Sequence, residues 1–353
     1  MKRIPGVDIF RIIAIVAVII AHATASPTVV NGHIADWSSP YLIANQVIRF
    51  TVPYFITISG YFWGKKIVGG ADVLQTFLGF LKRILIIYLA WSLVYLLPYD
   101  VYQDLNCGIA GSLKIFYFNA IDLTKRPLHA MFFGTMYHLY FLPALMTSAT
   151  ICACFVKMRR IGTLIVFSAM LYIVGLLNGA YAHTPMGIHL PLGTRSWLFE
   201  GPGFFTFFGG AAFFASGYIL STMAPNRSWL WKGCGFLILG YMVHFIELYF
   251  LITKHDINYS PDCLFGTYFM GIGCALIALS NALMPRAHCF STFGSLTLGV
   301  YGMHLIYFNN LDHARPLYPA GLWYPFVIVA VYLLSVSTAY LMAKNTALKR
   351  IVA

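Results

Sequence analysis

The pattern of hydrophobic positions divides the chain into long apolar runs separated by short polar segments. A helix that crosses a bilayer needs about 20 mainly apolar residues. Runs of that kind cover residues 9–26, 43–63, 80–98, 137–156, 161–179, 203–222, 232–251, 263–284, 290–308 and 321–343. The pattern therefore predicts an all-α polytopic membrane protein of about ten transmembrane helices. We expect one integral-membrane domain over residues 1–353, without a soluble accessory domain.

The distribution of positive charge predicts how these helices are oriented. Lys and Arg residues are retained on the cytoplasmic side of a membrane protein. With ten spans and the N-terminus inside, fifteen of the 23 Lys and Arg residues fall at the cytoplasmic face and six in outer loops. Both termini are therefore expected in the cytoplasm.

Composition supports a membrane location and argues against nucleic acid as a partner. Hydrophobic residues make up 59% of the chain and charged residues only 10%, whereas a quarter of a soluble domain is typically charged. The net charge of +12 follows from the cytoplasmic loops, and no soluble basic domain is expected to bind nucleic acid. The first apolar run has no convincing cleavage site, so we expect it to be retained.

The seven cysteines have no metal-ligand spacing, so no metal site is expected. Cys107 and Cys263 both fall in predicted outer loops. A disulfide between them is left open.

The first apolar run contains the ionisable residues Asp8, Arg11 and His22. In a helix, Arg11 and His22 lie within about 20° of one stripe and roughly 16 Å apart along the axis. Ionisable groups inside a membrane span are costly and are functional candidates for that reason. Asp8, one turn before Arg11, is expected to be its local partner.

The predicted topology places the other ionisable residues in two layers. The layer near the outer face contains His22, Arg49, His138, Glu200, Glu247 and His304. The cytoplasmic layer contains Asp8, Arg11, Lys82 and Arg83. Two such layers predict a site that is open to both sides of the membrane.

These residues also have a purely structural interpretation. Arg11 and Arg83 can extend to the lipid headgroups, as basic residues near helix ends often do. His138 and His304 can be satisfied interfacial histidines. Arg49 is harder to explain in this way, because an unpaired charge inside an apolar run is costly and a partner across the bundle is expected.

Five motifs occur in an order and spacing typical of one family. They are Arg11 and His22 with ten residues between them, VPYFITISGYFWG at 52–64, Lys82–Arg83 ahead of Tyr88, YHLYFL at 137–142, and LGVYGMH at 298–304. Together they resemble the membrane-bound acyltransferase-3 family over essentially the whole chain. Within it, the chain is most similar to the short O-acetyltransferases of bacterial surface polysaccharides, of the enterobacterial common antigen type.

The resemblance implies transfer of an acyl group, usually acetyl from cytosolic acetyl-CoA, to a carbohydrate hydroxyl at the outer face of the bacterial inner membrane. The acceptor would be a cell-surface glycan or its lipid-linked precursor, with acyl-CoA and membrane lipids as the other partners. His22 would be the essential histidine of the family and Arg11 its partner in the motif. The oligomeric state is left open.

Residue chemistry suggests where the donor binds. CoA is anionic, so Arg11, Lys82 and Arg83, with Asp8 beside them, are candidates for binding it. The pantetheine arm is comparable in length to the separation of roughly 16 Å between Arg11 and His22.

Residue chemistry also suggests how the outer layer acts. Neutral His22 is the candidate general base toward the acceptor hydroxyl, and a covalent acyl-His22 intermediate is the competing chemistry. Arg49 or His304 can stabilise an oxyanion, while Glu247 can pair with Arg49 or orient a histidine. His138 completes the set of catalytic candidates.

Two other functions fit the same pattern. A transporter or exporter of a glycan precursor or small solute would use intramembrane charges as a substrate or proton pathway. A non-catalytic subunit would only scaffold glycan assembly. Transfer of label from acetyl-CoA by the purified protein distinguishes an enzyme from both.

Overall fold

A computed structural model describes the chain over residues 3–24, 29–30, 33–34, 39–133, 135–188, 203–255, 257, 261–280, 288–317 and 319–353. Within these ranges the chain folds into fifteen α-helices and one short hairpin. The predicted outer-layer residue Glu200 lies outside the described residues.

The helices are α1 (Pro5–Ala23), α2 (Pro40–Val47), α3 (Thr51–Val68), α4 (Val73–Leu96), α5 (Val101–Lys125), α6 (Pro127–Phe133), α7 (Phe141–Lys157), α8 (Ile161–Asn178), α9 (Gly210–Thr222), α10 (Trp229–His255), α11 (Phe265–Ser280), α12 (His288–Ser295), α13 (Thr297–Asp312), α14 (Ala320–Ala343) and α15 (Lys349–Val352). Shorter helical turns cover Ile48–Phe50, Tyr137–Tyr140, Phe204–Gly209 and Arg315–Leu317. The hairpin pairs β1 (Val29–Val30) with β2 (His33–Ile34) in antiparallel register.

Seven helical stretches in the described ranges are long and apolar enough to cross a membrane. They are Pro5–Ala23, Val73–Leu96, Tyr137–Lys157, Ile161–Asn178, Phe204–Thr222, Trp229–His255 and Gly321–Ala343. The prediction of an all-α multi-pass membrane protein is therefore confirmed.

The three other predicted runs are also helical, but one of them is divided into two helices and the other two contain short helices. The run 43–63 is divided into α2 and α3 by a turn at Ile48–Phe50, and the last turn of α3 contains two lysines. The helices in the runs 263–284 and 290–308, α11 and α13, have only 16 residues each. The count of ten spans and the orientation of the termini stay predictions.

Helix α1 is central to the bundle because its two sides belong to two different apolar clusters. Ile15 and Ile19 pack in a cluster that includes residues of α4, α7 and α13. Val7, Ala14 and Ala17 belong to a second cluster with residues of α3 and α11. A helix that is apolar on more than one side is stable only inside such a bundle.

Glycines allow helix backbones to touch where α3 packs on α9. A Cβ atom on Gly217 would lie 2.0 Å from the carbonyl oxygen of Thr57, and one on Gly60 would lie 2.2 Å from that of Phe214. Small residues at such crossings let membrane helices approach closely. The backbone contact holds α3, which lines the central cavity described below, at a set distance from α9.

We expect Gly217→Ala to destabilise the protein by about 1–3 kcal/mol, because the added methyl group must push α9 away from α3. Thermal unfolding of the detergent-purified protein, followed by size-exclusion chromatography, measures the effect. Gly235→Ala in α10 is the control, since a Cβ atom there meets nothing within 4 Å. Equal melting temperatures for the two variants would contradict the close contact.

Candidate active site

A cavity of about 960 Å³ follows one face of α1. Asp8, Arg11, Ile15, Val18 and His22 all line it. These positions recur every three or four residues, which is the spacing of one helix stripe. The predicted stripe therefore faces one continuous space, whose two ends we call the Arg11 end and the His22 end.

Asp8 binds two arginines at the Arg11 end. Its Oδ1 accepts a hydrogen bond from Nη1 of Arg11 at 3.3 Å, and its Oδ2 lies 3.6 Å from Nε of Arg3. The Asp8 side chain is only 3% exposed, so its charge is balanced inside the protein rather than by water. The predicted Asp8–Arg11 pair is thus present, and Arg3 is a second partner that the sequence pattern does not indicate.

Two further cations line the Arg11 end, but Lys82 is not one of them. Arg83 lines the cavity and its Nη2 donates to the backbone oxygen of Ala353 at 3.1 Å. Lys66 of α3 also lines it. Lys82 is exposed and lies outside the lining, because successive helical residues point about 100° apart. Its predicted part in donor binding stays a prediction.

Three histidines from separate segments meet at the His22 end. The ring of His22 on α1 lies 5.0 Å from that of His304 on α13, measured between centroids. The ring of His138, in the turn before α7, lies 5.2 Å from that of His304. The Tyr137 hydroxyl is hydrogen-bonded to Nδ1 of His22 at 3.3 Å, a contact that the sequence did not predict.

The contacts of His304 determine what its ring can do. Nδ1 is 2.7 Å from the carbonyl oxygen of Tyr301, and a carbonyl only accepts, so Nδ1 carries the hydrogen. In the neutral ring Nε2 then holds the lone pair, and this buried atom has no hydrogen-bond partner among the described residues. Neutral His304 is therefore a proton acceptor and cannot donate to an oxyanion.

Arg49 is paired with a residue that sequence reasoning missed. Its Nη1 forms an ion pair with Oδ1 of Asp262, and both residues line the His22 end. The predicted Arg49–Glu247 pair is not formed. Asp262 directly precedes the apolar run 263–284, and an acidic residue at that point was the available signal.

Glu247 instead caps the start of α11. Its carboxylate accepts hydrogen bonds from the backbone N–H groups of Phe265 at 3.0 Å and Gly266 at 2.8 Å, and from the Tyr181 hydroxyl. The first N–H groups of a helix have no partner within it, so such a cap is stabilising. Glu247 is not among the residues that line the cavity, and its predicted part in catalysis stays a prediction.

Neither a disulfide nor a metal cluster is seen in the described side chains. Cys263 is a buried free thiol, 3.3 Å from the Tyr172 hydroxyl, while the side chain of Cys107 lies outside the described part. The described residues contain no group of three or more His, Cys, Asp or Glu that could hold a metal ion.

Comparison with known proteins identifies the family of this chain. Residues 4–342 match the acyltransferase-3 family, described as an acyltransferase domain. The chain belongs to this family.

The relatives found have low sequence identity to this chain and are longer than it. The chain is 26% identical over 319 residues to a serine/alanine racemase of Enterococcus gallinarum, which covers 85% of this chain and 40% of that protein. It is 28% identical over 177 residues to an amino-acid racemase of Enterococcus faecalis, covering 50% of this chain and 22% of that protein. The chain thus spans less than half the length of these relatives. No solved structure matches it.

Glu247→Gln is expected to lower the free energy of unfolding by about 1–3 kcal/mol while leaving measurable acyl transfer, because the residue caps α11. Thermal unfolding and activity are measured on the same preparation. Tyr181→Phe, which removes one bond to the same carboxylate, should cost less. A Glu247→Gln protein of normal stability and no activity would instead support a direct catalytic role.

Proposed function

We propose that the protein transfers an acyl group, most simply acetyl, from a cytosolic CoA thioester to a carbohydrate hydroxyl at the outer face of the bacterial inner membrane. The observation that carries the proposal is the continuous cavity that joins a cationic end to a histidine end along α1. Donor and acceptor can enter this space from opposite sides and meet inside it.

The Arg11 end suits the anionic donor. Arg3, Arg11, Lys66 and Arg83 line it, and Asp8 is the only acidic side chain among the described lining residues of that end. Arginine is well matched to phosphate because its guanidinium presents several donors in a planar fork. We therefore assign the CoA phosphates to this end, where Arg83 would exchange its bond to Ala353 for one to the donor.

The middle of the cavity suits the pantetheine arm. Ile15, Val18, Phe55, Ile58 and Leu145 line it with apolar surface. The rise of α1 between Arg11 and His22, roughly 16 Å, is the distance that the arm has to cover. The thioester then reaches the histidines while the CoA head stays at the Arg11 end.

The His22 end suits the chemical step. Neutral His22 takes the proton of the acceptor hydroxyl as its oxygen attacks the thioester carbonyl. The new C–O bond forms, the C–S bond breaks, and the proton passes to the sulfur to give the free thiol. The Tyr137 hydroxyl, by accepting from Nδ1–H of His22, would leave the Nε2 lone pair for the acceptor.

The other ionisable groups at this end have supporting parts. Arg49 is the cation available to stabilise the developing oxyanion. His304 presents a lone pair and would take up a proton shared with His22, while His138 packs against His304. An acyl-His22 intermediate stays the competing chemistry, in which His22 attacks the thioester itself.

A solute transporter is the second candidate, because a cavity that reaches both ends also suits alternating access. Because one relative is named a serine/alanine racemase, serine and alanine are solutes to test in a transport assay. Proteoliposomes that move a solute without transferring label from acyl-CoA would favour transport over the enzyme.

His22→Ala is expected to reduce acyl transfer by about 10²–10⁴-fold, which is the usual contribution of a general base. The assay follows label from radioactive acetyl-CoA into glycan, using the full chain in liposomes with membrane-extracted acceptors. His313→Ala is the control, since His313 is paired with Asp100 away from the cavity. Wild-type transfer by His22→Ala would overturn both the base and the acyl-histidine mechanism.

Arg83→Gln is expected to raise the KM for the acyl-CoA about tenfold, because a charge-assisted bond to phosphate is lost. Lys82→Gln, one residue earlier in α4, should leave that KM unchanged. The KM of each variant is measured from initial rates over a range of acyl-CoA concentrations. Equal effects of the two substitutions would show that surface charge, rather than the cavity, attracts the donor.

A further inference from the structure

One stripe of α3 lines the cavity between its two ends. The lining residues of this stripe recur every three or four positions and include Phe55, Ser59, Phe62, Trp63 and Lys66. The guanidinium of Arg11 lies 5.5 Å from the centre of the Phe62 ring. Arg49, two residues before α3, lines the His22 end. The stripe therefore follows the same path as the donor arm, from the Arg11 end toward the His22 end.

The indole of Trp63 is held in the wall of the cavity by α9. Its ring centre lies 5.7 Å from that of Phe214 and 5.8 Å from that of Tyr218, and the residue is only 2% exposed. Its buried Nε1–H has no hydrogen-bond partner in the described part of the chain. A buried N–H group without a partner is costly. A ligand in the cavity that offers an acceptor removes this cost.

Ser59 presents the complementary group one turn away on the same stripe. Its hydroxyl donates to the carbonyl oxygen of Phe55 at 2.8 Å, so the hydroxyl oxygen has lone pairs left to accept a hydrogen bond. Four residues of a helix correspond to a rise of about 6 Å. A donor at Trp63 and an acceptor at Ser59 are therefore fixed on one rigid helix beside the cavity.

We propose that Trp63 and Ser59 recognise the amides of the pantetheine arm. The Trp63 N–H donates to an amide carbonyl, and the Ser59 oxygen accepts from an amide N–H. This inference rests on the proposed function and names residues that select its donor. The arm carries two amides between its phosphate and its thiol, at a separation comparable to the rise between the two side chains. A lipid tail offers neither group, so this pair favours the arm over a hydrocarbon chain in the same space.

The test measures equilibrium binding of two ligands that share the CoA phosphates and differ by the arm. They are CoA and 3′-phosphoadenosine 5′-diphosphate, which lacks pantetheine. Isothermal titration calorimetry with the full chain in detergent gives the Kd of each. For the wild-type protein we expect CoA to bind at least about tenfold more tightly than the nucleotide, because the arm adds hydrogen bonds and apolar contacts.

The N–H group of Trp63 is tested by replacing this residue with 3-benzothienylalanine. The analogue keeps the shape of the bicyclic ring and has sulfur in place of the N–H. It should raise the Kd of CoA about tenfold, the effect of one lost hydrogen bond inside a site, and leave the Kd of the nucleotide unchanged. The same replacement of Trp231 is the matched control and should change neither Kd, since Trp231 is 77% exposed and outside the lining.

Ser59→Ala tests the second residue by removing a single hydroxyl. It should raise the Kd of CoA by about three- to tenfold without changing that of the nucleotide. Arg83→Gln provides the contrast, because it should weaken the binding of both ligands through the phosphates that they share.

The outcomes separate this inference from the proposed function. An unchanged Kd of CoA in the Trp63 and Ser59 variants would overturn the inference, and so would an equal loss for CoA and the nucleotide. Failure of CoA to bind the wild-type protein would overturn the proposed donor and with it the proposed function. The expected shifts in Kd, without transfer of label from acetyl-CoA to any acceptor, would support recognition of the arm and overturn acyl transfer.

Discussion

The structure depends on the cost of placing ionisable groups on a helix that is otherwise surrounded by apolar side chains. Arg11 and His22 belong to α1, whose other sides pack in two hydrophobic clusters. An ionisable group in contact with lipid is expensive, so these side chains must face protein partners or a polar space. The bundle meets this condition by closing around α1 and leaving one cavity along its polar stripe.

The same condition accounts for the pairing of Asp8, Asp262 and Glu247. Asp8 balances arginines at one end and Asp262 balances Arg49 at the other. Glu247 gives its charge to the N-terminal N–H groups of α11, where a helix favours negative charge. Each of these three carboxylates thus has a positive or N–H partner, and among the described residues that line the cavity most of the positive charge lies at the Arg11 end.

Periodicity alone predicted the all-α fold and the shared stripe of Arg11 and His22, because both follow from spacing within single segments. It could not show that Arg83 lines the cavity while Lys82 does not, because the rotation of α4 about its axis depends on packing with other helices. It also could not choose between Glu247 and Asp262 as the partner of Arg49. That choice depends on how the end of α10 meets the start of α11, which no local pattern encodes.

The stripe on α1 has a consequence for how the protein can vary. Arg11 and His22, at the two ends of the cavity, belong to one uninterrupted helix. The ten residues between them therefore determine how far apart the two ends lie. Inserting or deleting one residue there would turn one end by about 100° and take it out of the cavity. Substitutions in the other helices can reshape the walls of the cavity. The distance between its two ends, however, is fixed by the number of residues between Arg11 and His22 on α1.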